Sequence, residues 1–312
     1  MPSLQSLIIK IPTKILGARM SATTSVPKLR AMMEMGSDHP RLPRGVASQP
    51  AQADGVAVEW ITPRSVSGSS VILYLHGGGW TLGWYQSHRW LVANLCQAAG
   101  CRALAVDYRL APENPFPAAL DDCLTVYRWL LKSGTPAEQI VIAGDSAGGN
   151  LTLTTLMVLR DAGDPLPAAA VCISPMTDLA GTGESFNTRK DAMLTTRTAL
   201  FFARQYYGDQ DPRLPLISPH YGDLSGLPPL LIHVGEDEIL LSDAQRLVIK
   251  AAAAGVDARL IIWPGMWHVW HVFAPFLPEA QQAVKAIGAF LQEKRVGAGE
   301  AVPARDSSQA YA

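Results

Sequence analysis

Short apolar, β-branched runs alternate along the chain with longer stretches of helical period. Strand-like runs fall at 56–62, 70–76, 102–108, 140–144, 170–174, 230–235 and 258–263. Helical patterns fall between them, at about 88–99, 118–132, 150–162, 242–254 and 279–294. Most of the strand-like runs, such as "SVILYLH" and "IVIAG", are apolar throughout rather than alternating. A strand apolar on both faces is covered on both faces, which is the condition of a mostly parallel sheet between helices. The expected class is an α/β sandwich.

Two stretches stand outside this alternation. Residues 1–45 combine a possible helix, the Met-rich "AMMEMG" and the turn-rich "SDHPRLPRG". Residues 178–228 run without a clear strand between two strands, and an insertion of that length inside a sheet protein is usually functional, such as a lid. The two stretches are expected to meet over one edge of the sheet. Residues 296–312 are polar and small, and are expected to form a disordered tail.

Composition narrows the picture modestly. A chain of 312 residues, 48% hydrophobic, can bury a large core, roughly three quarters of its unfolded surface. The net charge of −1 gives no electrostatic reason to expect nucleic acid and suits a neutral small molecule. Cys96, Cys101, Cys123 and Cys172 form no CxxC pair, so a zinc site is not indicated; buried reduced thiols in a cytoplasmic protein are expected. In "MPSLQSLIIKIPTKILGARM", Lys10, Lys14 and Arg19 interrupt the apolar run, which excludes a membrane span there. The charges also come in the wrong order for a secretory signal. An amphipathic helix against the protein's own surface is expected, a membrane-surface helix being the alternative.

The chemistry concentrates in two motifs. "GDSAGGN" (144–150) fits G-x-S-x-G between an apolar strand and a helix. A nucleophilic Ser146 on such a turn needs small neighbours, and the following helix brings its free N–H groups beside a developing oxyanion. The plain alternative is a serine that caps the helix. "LYLHGGGW" (73–80) ends another strand in three glycines, an excess for a simple turn. Their side-chain-free backbone can aim N–H groups at a substrate carbonyl, with Gly77, Gly78 and Ala147 as the expected donors. Phosphate binding would require a lysine that the segment lacks.

A serine needs a base, and the base an orienting acid. With chain order Ser, acid, His, the late "PGMWHVWH" offers His268 and His271. His268, in the loop directly off the last strand, is expected to be the base, while His271 packs locally. His233 lies inside a strand and is expected to be a buried imidazole. "VGEDEILLSDA" offers Glu236, Asp237 and Glu238 as competing acids, with Asp243 opening the next helix.

Over roughly residues 55–295 the chain resembles the bacterial hormone-sensitive-lipase family of carboxylesterases. The resemblance rests on "HGGGW", "VDYRLAPENPFPAALDD", "GDSAGGN", "ISPMTDL", "GLPPLLIHVGEDEILLSDA" and "WPGMWHVWH", in that order. It implies an α/β-hydrolase fold with an eight-stranded, mostly parallel sheet and a helical cap. The division implied is a cap segment at 1–45, a catalytic domain at 46–295 with a cap insertion at about 178–228, and the tail. It also implies Ser146 as nucleophile, His268 as base and, by the position before Ile239-Leu240, Glu238 as acid, with Asp237 as alternative. Trp80, Trp84, Met193, Phe202 and Trp267 are expected to line a capped pocket. The activity implied is hydrolysis of short-to-medium carboxylic esters, without metal or cofactor, by a protein in the cytoplasm that forms a possible homodimer. A lactone hydrolase on the same site and a silent ligand-binding protein on the same fold are the alternatives. Tyr108, Arg109 and Asp122 are expected to be structural.

Overall fold

The strands of the computed structural model, which describes residues 2–22, 25–34, 42–64, 66 and 69–296, form one eight-stranded sheet. They are β1 (Val46–Ala53), β2 (Val56–Pro63), β3 (Val71–Leu75), β4 (Arg102–Val106), β5 (Ile140–Asp145), β6 (Ala169–Ile173), β7 (Leu230–Gly235) and β8 (Ala258–Trp263). The spatial order is β1-β2-β4-β3-β5-β6-β7-β8. β2 pairs antiparallel with β1 and β4, and every other pairing is parallel. The segments at 35–41 and from 297 onward, and so most of the turn-rich piece and of the expected tail, lie outside the described residues.

The sheet has apolar packing on both faces, which explains why its central strands do not alternate. Leu73 and Leu75 of β3 point into one core, with Leu151 of α5 (Ala147–Ala162) and Leu124 of α4 (Ala118–Lys132). Ile72 and Tyr74 point into the other, with Leu95 of α3 (Gln86–Ala99) and Ile287 of α9 (Pro278–Val296). The period of two in a strand thus sorts an unbroken apolar run onto two layers. β8 is the outer strand beside β7, and Ile261 and Ile262 on it are partly exposed. β1 escapes the sequence pattern for the opposite reason: "VASQPAQA" is half exposed, polar and carries a proline, all tolerated at a sheet edge.

The remaining helices are α1 (Leu4–Ala22), α2 (Val26–Glu34), α6 (Glu184–Thr188), α7 (Thr196–Tyr207) and α8 (Leu241–Ala253). The stretch 178–228 contains α6, α7 and a short 3-10 turn, and no strand among its residues, all of which are described. Thr195 starts α7 by accepting a hydrogen bond from the Thr198 N–H at 3.2 Å, the usual way of satisfying a free donor at a helix start. Met20 of α1, Leu29 of α2 and Phe202 of α7 form a small apolar cluster with Leu82 and Tyr85. Among the described residues no helix is long and apolar enough to cross a membrane. All four cysteines are buried and none is in a disulfide.

Candidate active site

Ser146 occupies the turn between β5 and α5, with φ 53° and ψ −115°. Such a conformation costs about 1–3 kcal/mol in a non-glycine residue and persists only where its surroundings enforce it. The Ser146 N–H donates to the Ile173 carbonyl at 2.8 Å, and its own carbonyl accepts from Asn150 N–H at 3.2 Å. The glycines of the motif permit the close approach of helix and strand. A Cβ on Gly148 would stand 1.8 Å from the Leu75 carbonyl oxygen, and one on Gly144 would stand 2.3 Å from that of Gly148. The Ser146 hydroxyl makes no cap bond to α5. It faces His268 Nε2 at 2.9 Å instead.

His268 follows β8 on a turn, and its Nδ1 meets Glu238 Oε2 at 2.9 Å. Glu238 is fully buried, and its other oxygen accepts from the Gly235 N–H at 2.7 Å and the Ser174 hydroxyl at 2.6 Å. Burial alone would push the His268 pKa down. The hydrogen bond to Glu238 and the charges of Glu238, Asp191 and Asp145 outweigh it, and the pKa ends above the ordinary imidazole value. A histidine so placed holds a proton taken from serine more firmly than a free imidazole would.

The neighbouring carboxylates point elsewhere. Asp237 pairs with Lys10 of α1, and Glu236 accepts from the Gly265 N–H at 3.1 Å. Asp243 does not cap α8: it lies in the first turn and accepts from the Thr177 and Asp178 N–H groups at 2.9 and 3.0 Å. His271 is buried with its Nε2 3.2 Å from His233 Nδ1, and burial, with the charges of His233 and His268, holds its pKa well below the usual range. Ser146 Oγ faces His268 rather than either imidazole of this pair.

One expected donor changes. The Gly77 N–H donates to Asp145 Oδ1 at 3.0 Å, and Tyr74 OH donates to the same oxygen at 2.6 Å. With its N–H spent on a buried carboxylate, Gly77 leaves the set of free donors. Gly78 and Gly79 take positive φ, 104° and 60°, and line the same cavity as Ser146. Among the described residues no protein acceptor takes the N–H of Gly78, Gly79 or Ala147. The turn is held from behind: Tyr108 OH donates to the His76 carbonyl at 2.7 Å, and the two rings stack 4.1 Å apart. Tyr108 is therefore part of the glycine turn's support, although it is distant in sequence. Arg109 and Asp122 pair with each other at 2.8 Å.

The cavity at Ser146 measures about 130 Å³ and is mostly apolar, with Met20, Leu82, Met193, Leu194 and Phe202 among its walls. Trp80, Met193 and Phe202 are among the residues that line it. Trp84 and Trp267 are not. The Trp84 indole donates to Glu59 at 2.6 Å beside a separate surface hollow. Trp267 is buried beneath, edge-on to Phe273 with Lys10 over its ring. Both sit next to motif residues, but side chains one or four positions along a loop need not share its direction.

Three supporting residues escape the sequence pattern. Asp145, the variable residue of G-x-S-x-G, ties the serine turn to the glycine turn. Ser174, at φ 47°, bonds Glu238 and accepts from the Val269 N–H at 3.3 Å. Asp191 accepts the His268 backbone N–H at 3.1 Å and the Met193 N–H at 2.7 Å. Burial and the nearby Glu238 charge push the Asp191 pKa up to about 7. A polar residue at a strand's C-terminal end, as at 145 and 174, is a usable signal. Asp191 lies in an insertion and offers none. Asp191, Glu238 and His268 present one atom each within 4.8 Å of the others, a spacing compatible with a cation, yet the Glu238 and His268 atoms already bond each other.

Known proteins resemble the chain in sequence and fold. The sequence profile described as alpha/beta hydrolase fold matches residues 72–272. An acetyl-hydrolase of Streptomyces hygroscopicus is 49% identical over 236 residues, covering 75% of this chain and 79% of its own. A solved esterase from the bacterial hormone-sensitive lipase family superposes with TM-score 0.87 at 43% identity, over 92% of this chain and 98% of its own. An esterase/lipase from an uncultured bacterium gives 0.89 at 39% identity, over 94% and 99%. The fold and the serine turn define an α/β hydrolase, and the chain belongs to that family. Within it, its relatives are the bacterial hormone-sensitive-lipase esterases, and its reaction class is carboxylic ester hydrolysis.

Proposed function

We propose that the protein is a serine esterase for short-to-medium acyl groups, with Ser146, His268 and Glu238 as its catalytic groups. Ser146 Oγ attacks the ester carbonyl while His268 Nε2 takes its proton, and Glu238 stabilises the imidazolium through Nδ1. The N–H groups of Gly78, Gly79 and Ala147 receive the negative charge that forms on the carbonyl oxygen, each donor contributing about 3–4 kcal/mol to the transition state. His268 returns the proton to the leaving alcohol, and the acyl group stays on Ser146. Water, deprotonated by His268, then attacks the acyl carbonyl; the acid leaves and Ser146 recovers its proton.

The observation that carries the proposal is the continuous hydrogen-bonded line from Ser146 Oγ through His268 to Glu238, 2.9 Å at each step, at the wall of an apolar cavity. The acyl-length proposal is supported by that cavity's size: about 130 Å³ is small beside the ~300–1,000 Å³ of sites for drug-sized molecules. In this proposal α1, α2 and the 178–228 stretch act as the cap that limits chain length, an assignment supported by the cavity walls contributed by Met20, Met33 and Phe202. Cytoplasmic action is supported by four buried thiols, none of them in a disulfide. A homodimer paired along β8 is supported by its place as an outer strand and by the exposed Ile249, Ile261 and Ile262. Sedimentation of Ile261→Lys beside the unmodified protein tests that arrangement.

The proposal is tested by hydrolysis of p-nitrophenyl acetate, butyrate, octanoate and palmitate, beside Ser146→Ala. Turnover that peaks at short chains and disappears with Ser146 is expected. Turnover that survives Ser146→Ala contradicts the nucleophile, and a peak at palmitate contradicts the chain-length proposal.

A further inference from the structure

The helix α1 packs Ile9, Leu16 and Met20 inward and still carries an apolar stripe on its outer side. Leu4, Leu7, Ile8, Ile11 and Ile15 are between 51% and 71% exposed. At 100° per residue these five positions share one side of the helix, a stripe about 17 Å long. The inner side is mixed: Ser6, Thr13 and Gly17 face the protein, along with Ile9, Leu16 and Met20. By contrast, α3 buries Leu91, Val92, Leu95 and Cys96, and α8 exposes Ile249 singly while it buries Leu241, Ala244 and Leu247.

This orientation is held by specific contacts. Ser3 donates to Glu279 through N–H at 2.5 Å and through its hydroxyl at 2.9 Å, Lys10 pairs with Asp237, and Thr195 donates to the Ser21 hydroxyl at 3.0 Å. Gly17 packs so closely that an added Cβ would stand 2.6 Å from the Ala192 carbonyl oxygen. The outward stripe is therefore fixed, and it is not a helix caught in the wrong rotation.

Charge identifies what suits the stripe. Its two flanks carry the exposed Lys14 and Arg19, and α1 contains no acidic residue. α7, which packs on α1, contributes the exposed Arg197 and Leu200 and again contains no acidic residue. The carboxylates that reach α1, Asp237 and Glu279, are engaged on its inner side by Lys10 and Ser3. A chain with net charge −1 thus presents a locally basic rim around a fixed apolar stripe. Apolar groups that enter the acyl boundary, with cations beside them at the headgroups, are the requirements of a helix lying in the plane of an anionic bilayer. A second copy would bring its own Lys14 and Arg19 and no α1 carboxylate to meet them.

We propose that the outer face of α1 docks this protein on an anionic lipid surface. The inner face of the same helix supplies Met20 to the cavity, so docking holds that cavity close to the bilayer. The proposal does not depend on the esterase assignment, because binding is read without turnover.

The test is flotation of the full-length protein with vesicles of phosphatidylglycerol and, separately, of phosphatidylcholine. The protein is expected to float with phosphatidylglycerol, more weakly as salt rises, and to stay behind with phosphatidylcholine. The triple substitution Ile8→Ser, Ile11→Ser, Ile15→Ser is expected to lower partitioning at least tenfold while p-nitrophenyl acetate hydrolysis stays within about twofold, which also reports folding. Lys14→Gln and Arg19→Gln should each lower it by about fivefold. Flotation unchanged by the triple variant overturns the proposal, as does no flotation with either vesicle. A doubled mass in solution that the triple variant halves also overturns it, in favour of a second copy on the stripe.

Discussion

The C-terminal rim of the sheet and the helices above it are built on different principles. At the rim, Ser146, Asp145, Ser174, Glu238 and His268 join through short hydrogen bonds between side chains and backbone, so each atom's position follows from its partners. Four of the five non-glycine residues with positive φ among the described residues, Trp80, Ser146, Ser174 and Val269, lie at that rim or line its cavity, where strain is tolerated because the surroundings enforce it. Over the cavity, Met20, Met33, Met193 and Phe202 meet by apolar contact alone, with flexible side chains that can repack. Under the proposed function, the difference assigns reaction type to the rim and substrate choice to the cover, and predicts that the two can be altered separately.

The largest separation is expected from the acid. Glu238→Gln removes the charge that stabilises the His268 imidazolium and should lower kcat by about 10⁴-fold. Asp237→Asn, which disturbs only the Lys10 pair, should leave kcat near its original value. Steady-state kinetics on one soluble ester measures both, and the reverse pattern would move the acid to Asp237.

A change in the cover should act on selection instead. The Phe202 ring lies against Gly79 and walls the cavity. Phe202→Ala should raise the ratio of kcat/KM for octanoate over butyrate esters by about tenfold, the value of a methylene or more of new apolar contact. If both esters lose activity in proportion, the cover does not act as a length filter.

The smallest effect is expected where the two regions touch. His268 acts as a base only when neutral, and its pKa is raised, so kcat/KM should fall as pH drops through a value above the ordinary imidazole 6.5. Asp191, in the 178–228 stretch, contributes a negative charge that helps raise it. Asp191→Asn should therefore move the acidic limb to lower pH, with kcat changed by less than about tenfold because Asn still accepts the His268 N–H. An unmoved limb would show that Asp191 acts only as a backbone tether.

The same contrast explains what the sequence made legible. The central strands β3 to β7, buried on both faces, are nearly unbroken apolar runs and could be read directly; β2 and β8 were legible from their β-branched and aromatic residues, and the polar edge strand β1 was not. G-x-S-x-G and the glycine turn were legible because their glycines answer to backbone clashes that any such turn must avoid, as at Gly148 against Leu75. Which glycine N–H is free was not legible, since it depends on Asp145, 68 positions from Gly77. Spacing left Glu236, Asp237 and Glu238 in competition; geometry separates them because a turn of three residues points each carboxylate in its own direction. Trp84 and Trp267 were misjudged for a related reason: aromatic residues beside a motif are as suited to packing beneath a site as to lining it.

The central claim is that Ser146 is the nucleophile activated by His268. It is met most directly by treating the protein with a fluorophosphonate and locating the adduct by mass spectrometry. One adduct per chain, on the peptide containing Ser146 and lost in His268→Ala, is the result expected. An adduct on another residue, or labelling of Ser146 that proceeds equally fast without His268, would contradict it.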